Sequence, residues 1–275
     1  MKLILALLVT LTLSTALAKT VGNVLVIAPH PDDEVIGCAG VILRALAAKK
    51  HVTVVILTHG DGYAALAAVV AKKERGQLTP EDCIRAGALR QNHAVNAMKR
   101  LSLPREDLIF LGYPDGGLEK MWQMDGSTAY RQMLTQKSET YGLVERDYHS
   151  LTHAQPAPYV KASVVADLVE ILRARQPHEV FVSHESDTHA DHHAAFWYAR
   201  EALRAVNFEG RFFSFVVHGN PLPRETDFRL KLTPQAYETK KAALIDHTQG
   251  TSPIHDSLVQ TYLKPEELFW QFPIR

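Results

Sequence analysis

One stretch near the start of the chain joins an apolar run, a cluster of ionisable side chains and a helical pattern. It reads Val24-Leu-Val-Ile-Ala-Pro-His-Pro-Asp-Asp-Glu-Val-Ile-Gly-Cys-Ala-Gly40. The apolar part is typical of a strand buried on both faces, and helical spacing begins after the acidic residues. Because parallel α/β sheets bind ligands at the carboxyl ends of their strands, the side chains between strand and helix lie where a site is expected. They are His30, Asp32, Asp33 and Glu34.

The same side chains also have a purely structural interpretation. Asp32 is suited to cap the following helix, and Asp33 and Glu34 are acids in its first turn, where the helix dipole favours them. That interpretation leaves His30, on the strand side, unexplained. The stretch alone leaves both interpretations open, and a second cluster is needed to decide between them.

Apolar runs and helical patterns alternate along the rest of the chain. Strands are predicted near residues 21–28, 51–58, 107–111, 179–183 and 211–217, and helices near 35–49, 63–74, 79–101, 160–175, 194–206, 233–246 and 254–263. A strand, a helix and a strand in this order form a βαβ unit with a right-handed crossover. The sequence therefore predicts an α/β protein with a three-layer Rossmann-like fold, a mostly parallel sheet and an active site at the carboxyl ends of the strands.

The first 18 residues are typical of a secretory signal peptide. Lys2 precedes an apolar core from Leu3 to Leu13, and Ala16-Leu17-Ala18 matches an A-x-A cleavage site. The core is short for a transmembrane span, so we expect no stable membrane span after cleavage. The expected location is periplasmic or extracellular, and an uncleaved N-terminal anchor is the alternative.

Residues 19–275 are predicted to form a single domain, since no linker or repeat divides them. An irregular insertion is expected at about 118–159, either as a lid or binding wall or as an excursion that packs its aromatic side chains on the domain. The 30 Lys+Arg and 30 Asp+Glu residues balance, which argues against a nucleic-acid partner. Export would permit a disulfide between Cys38 and Cys83, but the sequence does not show that they meet. It does not indicate the oligomeric state.

A second polar cluster follows the predicted fourth strand. Residues 184–193 hold four histidines and two aspartates. Imidazole nitrogen and carboxylate oxygen suit zinc or another divalent first-row metal. Since both clusters follow parallel strands, we expect them to meet at one edge of the sheet and to bind a metal together. A catalytic zinc uses three protein ligands, and spacing alone does not assign them.

The two clusters together resemble a known family. Ala28-Pro-His-Pro-Asp-Asp-Glu34 and, much later, His189-Ala-Asp-His192 are similar to the paired motifs of the PIG-L/LmbE-like family of zinc-dependent N-acetylglucosaminyl deacetylases. The resemblance extends over most of the chain in order, including residues 58–61 and Tyr113-Pro-Asp-Gly116. It implies a zinc site with one ion per chain, or another divalent first-row metal in its place.

The resemblance also implies roles for individual residues. The metal ligands would be His30, Asp33 and His192. Asp32 would act as the general base toward a metal-bound water, and protonated His189 would stabilise the oxyanion. Asp191 would support the site by orienting charged groups.

Two further positions are implied in binding the sugar, namely Arg90 and Asp115. Here the chain departs from the family pattern, which often has a glutamate three residues after the arginine, whereas this chain has His93. The departure leaves the local partner of Arg90 undefined but does not touch the metal site. His59, His218 and His247 lie near the ends of predicted elements and are candidates for the pocket wall.

The resemblance implies a hydrolase that removes the acetyl or acyl group from the amide nitrogen of an N-acetylglucosamine-type sugar or glycoconjugate. One alternative is a metallophosphoesterase, which also uses Asp/His clusters but usually with a second metal. The other is a metal-dependent carbohydrate-binding protein that performs no chemistry. Asp32 and His189, which a binding protein would not need, argue against the last alternative.

Overall fold

The computed structural model describes residues 22–219, 225–249 and 256–274, so the predicted signal peptide lies outside the described residues. The strands in this part of the chain are β1 Val24–Ala28, β2 Val52–Thr58, β3 Leu108–Tyr113, β4 Glu179–Ser183, β5 Arg211–Phe215, β6 Phe228–Lys231 and β7 Glu266–Phe272. The α-helices are α1 Asp33–Ala47, α2 Ala64–Ala71, α3 Pro80–Arg100, α4 Leu118–Gln123, α5 Tyr148–His153, α6 Lys161–Arg175, α7 Ala190–Ala205, α8 Pro234–Asp246 and α9 Asp256–Tyr262.

The strands form one sheet in the order β3-β2-β1-β4-β5-β7-β6. The pairs from β3 to β5 are parallel, and β7 pairs antiparallel with both β5 and β6. The predicted α/β fold with a mostly parallel sheet is therefore confirmed. The two antiparallel strands were not predicted from the sequence.

Helices cover both faces of the sheet, which gives the predicted three layers. On β1, Val24, Val26 and Ala28 pack into the cluster that holds α1, α3 and α8 residues. Leu25 and Ile27, which point the other way, pack into the cluster built with α4, α6 and α7. All five β1 residues are buried, as the continuous apolar run indicates. None of the described helices has the length and apolarity needed to cross a bilayer.

One local difference from the sequence prediction has a physical reason. Helix α7 begins at Ala190 rather than at 194, because the side chain of His189 caps it by accepting a hydrogen bond from the Asp191 amide. The segment 118–159 holds the two short helices α4 and α5 and an isolated bridge from Glu139 to Pro158, and the rest of it lies outside regular helices and strands. Cys38 and Cys83 are both buried and carry free thiols.

Candidate active site

The two predicted clusters meet at the carboxyl edge of the sheet. Strands β1 and β4 are direct parallel neighbours, with Ile27 opposite Val182. The turn after β1 carries His30 and leads into α1, while the loop after β4 leads into α7, which carries His192. Adjacent parallel strands thus bring together side chains that lie 162 positions apart in sequence.

Three ligand atoms converge at this edge to form a triangle. His30 Nδ1 lies 3.2 Å from Asp33 Oδ2 and 3.2 Å from His192 Nε2. The third side, between His192 Nε2 and Asp33 Oδ2, is also 3.2 Å. All three side chains are buried. These are the three residues that the family resemblance implies as metal ligands.

The triangle fits a tetrahedrally coordinated divalent ion. Ligand atoms at zinc-like bond lengths in a tetrahedron are about 3.3 Å apart, close to the 3.2 Å observed for all three pairs. The buried Asp33 carboxyl also favours its charged form. Burial raises its pKa, but the neighbouring His192 and His30 outweigh burial and lower the pKa well below its usual value. An ionised carboxylate is the form that binds a metal.

Carboxylates outside the triangle orient both imidazoles. His30 Nε2 lies 3.0 Å from Asp191 Oδ2 and 3.2 Å from Asp115 Oδ1. His192 Nδ1 lies 3.2 Å from Asp187 Oδ2. A proton on each of these outer nitrogens leaves the lone pair of the inner nitrogen directed at the triangle, an arrangement common around protein-bound metals.

Asp187 is a functional residue that sequence reasoning missed. Besides the contact with His192, its carboxylate accepts hydrogen bonds from the amides of Val217, His218 and His189. It therefore ties the loop after β5 to the histidine of α7. Asp187 belongs to the predicted 184–193 cluster, but spacing in the sequence does not show which imidazole its carboxylate contacts.

Other combinations of these residues lie close enough to bind a metal, namely His30 with His189 and His192, and His30 with Asp115 and Asp191. We favour the triangle that includes Asp33. His189 Nδ1 is occupied as the cap of α7, where it accepts from the Asp191 amide at 3.3 Å. Asp191 accepts from the amides of Gly116 and Leu118 and contacts the outer nitrogen of His30.

Asp32 is directed away from the triangle and into a cavity. Its side chain keeps 16% exposure, whereas that of Asp33 keeps 3%. Its Oδ1 lies 3.1 Å from Arg90 Nη2. Burial raises the pKa of the Asp32 carboxyl to about 6, with Arg90 opposing the shift and the charge of Asp33 adding to it. A bound cation would favour the carboxylate and lower this pKa.

His189 lies beside the triangle with its ring 4.8 Å from that of His30. Burial and the neighbouring imidazoles of His30 and His192 lower the pKa of His189 to about 4. The protonated form of His189 that the family resemblance implies stays a prediction. Because its Nδ1 accepts a backbone hydrogen bond, the neutral ring carries its proton on Nε2 and can still donate.

The structure supplies the partner of Arg90 that the sequence left undefined. The guanidinium donates to the carbonyls of Pro31 at 2.8 Å and Gly60 at 3.2 Å and pairs with Asp32. Asp115 accepts from the Gly62 amide at 2.7 Å and also contacts His30. Both residues border the cavity, but they also hold the site together.

The cavity beside the triangle has a volume of about 480 Å³, within the range of small-molecule sites. It is lined by residues of the triangle on one side, and by α3, α9 and the loops after β2, β3, β4 and β5 on the others. The lining includes Asp32, Gly62, Tyr63, Arg90, Asp115, His189, Val217, His218, Ser257, Leu258, Thr261 and Tyr262. Of the three histidines that were candidates for the wall, His218 lies in it, with Nδ1 3.2 Å from the Tyr262 hydroxyl.

Comparison with known proteins agrees with this geometry. Residues 25–203 match the PIG-L family, described as GlcNAc-PI de-N-acetylase. No curated protein matches the chain.

Solved structures share the fold at low sequence identity. N,N'-diacetylchitobiose deacetylase from Pyrococcus horikoshii is 19% identical, with a TM-score of 0.54 over 92% of this chain and 84% of that one. The zinc-inhibited form of teicoplanin deacetylase Orf2 is 14% identical, with a TM-score of 0.55 over 90% and 97% of the two chains. GalB, the 4-carboxy-2-hydroxymuconate hydratase from Pseudomonas putida KT2440, is 17% identical, with a TM-score of 0.63 over 92% and 97%.

These structures support the Rossmann-like architecture. At this level of identity they show the fold alone, so the chemistry is argued from the site residues. The family match covers both clusters that form the triangle, from the end of β1 to α7. It also spans more than half of the chain, and it confirms the resemblance read from the paired motifs. The protein is therefore a member of the PIG-L family and, as such, a deacetylase of the hydrolase class.

Proposed function

We propose that the protein uses a divalent metal to remove the acetyl group from the amide nitrogen of an N-acetylglucosamine-type sugar or glycoconjugate. The observation that carries the proposal is the triangle of His30, Asp33 and His192 beside a separate carboxylate, Asp32, that borders the cavity. A site that only bound a metal would need the triangle but not the fourth group.

Zinc is the ion that we propose, since two imidazoles and one carboxylate are among its usual ligand sets. When bound, the ion supplies Lewis-acid activation of water and of the amide carbonyl. His30 and His192 would each hold it through one ring nitrogen. The other ring nitrogen of His30 contacts Asp191, and that of His192 contacts Asp187.

Asp32 would accept a proton from the attacking water as the new carbon–oxygen bond forms. A general base must be deprotonated to act, and a pKa of about 6 keeps this carboxylate largely ionised at neutral pH. Activity should therefore fall as the pH drops through this pKa, at or below about pH 6 once a cation favours the carboxylate.

His189 would donate a hydrogen bond from Nε2 to the carbonyl oxygen as negative charge develops on it. Since Nε2 carries a proton in both the neutral and the charged ring, His189 would serve as this donor in either form. Asp32 would then return its proton to the leaving nitrogen as the carbon–nitrogen bond breaks. The products are acetate and a free amino sugar.

The sugar would occupy the cavity between the metal triangle and the wall that holds Tyr63 and Tyr262. Aromatic side chains often form the walls of small-molecule sites. Arg90 and Asp115 border the same space and are the residues that we propose to contact the sugar. The cavity volume of about 480 Å³ suits a compact ligand such as one or two sugar units.

The test is release of acetate and of a free amine from N-acetylglucosamine and N,N'-diacetylchitobiose. The protein should act after loading with zinc, lose activity after dialysis against a chelator, and regain it when zinc is restored. A phosphate ester is assayed in parallel, because a metallophosphoesterase would release phosphate and no acetate. Binding of the acetylated sugars without turnover would instead favour the carbohydrate-binding alternative.

A further inference from the structure

Asp32 has an unusual backbone conformation for the residue that we propose as the general base. Its φ is 135° and its ψ is −30°. This is a region that residues with a side chain rarely adopt, and such conformations persist only where the surroundings hold them in place. As a result of this conformation, the side chains of the adjacent residues Asp32 and Asp33 point in different directions. Asp33 enters the metal triangle, while Asp32 faces the cavity.

Glu34 holds this turn from within α1. Its Oε2 accepts a hydrogen bond from the Asp32 amide at 2.9 Å. The side chain of Glu34 is fully buried, with 0% exposure. A carboxylate in the first turn of a helix is ordinary, but most such groups are exposed to solvent. A buried one needs a partner for its other oxygen.

That partner is His247, which lies at the far end of the chain. Its Nε2 is 3.0 Å from Glu34 Oε1, across 213 positions of sequence. His247 is the C-terminal cap residue of α8 and is itself buried, with 4% exposure. It lies beyond residues 25–203, the part of the chain that matches the family. The contact therefore comes from a segment that the family match does not include.

We infer that Glu34 and His247 are positioning residues for Asp32. His247 fixes the Glu34 carboxylate, which holds the Asp32 amide and so keeps the Asp32 side chain turned toward the cavity. The inference rests on the proposed function, in which Asp32 is the base. Neither residue touches the metal triangle through its side chain, so their removal should leave metal binding intact.

A simpler reading is that the pair only caps α1 and stabilises the fold. The two readings differ in what the enzyme loses. A cap contributes to stability alone, whereas loss of a positioning contact lowers kcat of the folded enzyme and leaves KM and metal content nearly unchanged. Rescue by a residue that restores the single hydrogen bond separates them further.

The experiment compares His247→Phe, which keeps a ring but removes the donor, with His247→Gln, whose side-chain amide can reach Glu34. Ile245→Ala is the matched control, since Ile245 lies in the same helix and is 43% exposed. For each variant we would measure kcat and KM for acetate release, zinc per chain and the thermal unfolding midpoint.

We expect His247→Phe to lower kcat by about 10- to 100-fold, the range that follows small misplacement of a catalytic group. KM and zinc content should change little, His247→Gln should recover most of the rate, and Ile245→Ala should match the wild type. If His247→Phe does not fold, His247→Asn replaces it, because its shorter amide cannot reach Glu34 and should also lower kcat.

Wild-type kcat in the folded His247→Phe or His247→Asn variant would overturn the inference and leave the proposed function standing. Parallel loss of zinc and activity would also overturn it, because the pair would then act through the metal ligands. Absence of acetate release by the zinc-loaded wild type would overturn the proposed function, and the inference with it.

Discussion

The parallel half of the sheet and the C-terminal segment from β6 to β7 differ in how their strands are buried and in what they contribute to the site. Strands β1 and β2 are buried along their whole length and read as unbroken apolar runs. Strand β6 alternates between partly buried and exposed residues, and β7 is mixed. An unbroken apolar run is typical of a strand buried on both faces. A mixed pattern occurs in many exposed segments and does not by itself indicate a strand.

The two regions also divide the work of the site. The turns after β1 and β4, together with the first turns of α1 and α7, hold the residues that we propose for chemistry, all within the family match. The C-terminal segment supplies buried polar partners and part of the cavity wall, including His247 and Tyr262. The comparison suggests that reactivity resides in the parallel half and that the C-terminal segment shapes and steadies it.

The sharpest test of the parallel half is His192→Ala. Removing one of three ligands should lower zinc affinity by more than about 100-fold, beyond the loss typical for a partner outside the ligand shell. Acetate release should fall to background at ordinary zinc concentrations. Zinc per chain, measured on the purified variant beside the wild type, checks this. A full equivalent of tightly bound zinc would refute the ligand assignment.

Asp32→Asn should have the next largest effect, because it removes the base but not a ligand. We expect kcat to fall by about 10²–10⁴-fold, with zinc content unchanged. The acid limb of the wild-type pH–rate profile, which should lie at or below about pH 6, should be absent from any residual activity. Turnover near the wild-type rate would remove Asp32 from the mechanism.

One buried ion pair of the C-terminal segment should respond to mutation in stability rather than in rate, unlike His247. Lys240 and Glu267 form a buried ion pair with 2.7 Å between Nζ and Oε1, and each side chain is 1% exposed. Lys240→Met would leave the Glu267 carboxylate buried without its cation, at a cost of about 3–5 kcal/mol in the free energy of unfolding. Denaturant unfolding of the zinc-free protein measures this, while kcat of the folded enzyme should stay unchanged.

The matched control for that variant is Lys240→Met combined with Glu267→Gln, which removes the charge but keeps an oxygen for the Gly40 amide. The double variant should recover part of the lost stability, since no unpaired charge stays buried. If the single variant is as stable as the wild type, the pair does not hold the segment in place.

Much of the fold was predictable because its elements are delimited by local signals. Strand β4 was predicted at its observed bounds of 179–183, and Thr79 and Thr233 marked the starts of α3 and α8 to the residue. Strand β6 was missed because four residues with alternating exposure carry little signal of their own. Its partner β7 was missed for a related reason, since antiparallel pairing at the sheet edge depends on contacts distant in sequence.

The residues of the site were likewise predictable only where a local sequence signal marks them. The two clusters were located because they are dense motifs at the ends of strands, and the resemblance to the family then singled out His30, Asp33 and His192 as ligands. The partners of those residues were not predicted, because pairs such as Glu34 with His247 and His192 with Asp187 depend on the direction of side chains in the folded molecule. The direction in which the pKa of His189 shifts was also beyond sequence reasoning, since it follows from burial beside neighbouring imidazoles.

The contacts that cross from α1 to the C-terminal segment have a consequence for recombination among homologues. Glu34 pairs with His247, and the Gly40 amide donates to Glu267, so buried polar contacts join α1 to α8 and β7. A chimera joined after residue 203, where the family match ends, would take the two sides of these contacts from different proteins. Such hybrids should keep their metal ligands yet work poorly unless the matching α1 is exchanged with the C-terminal segment.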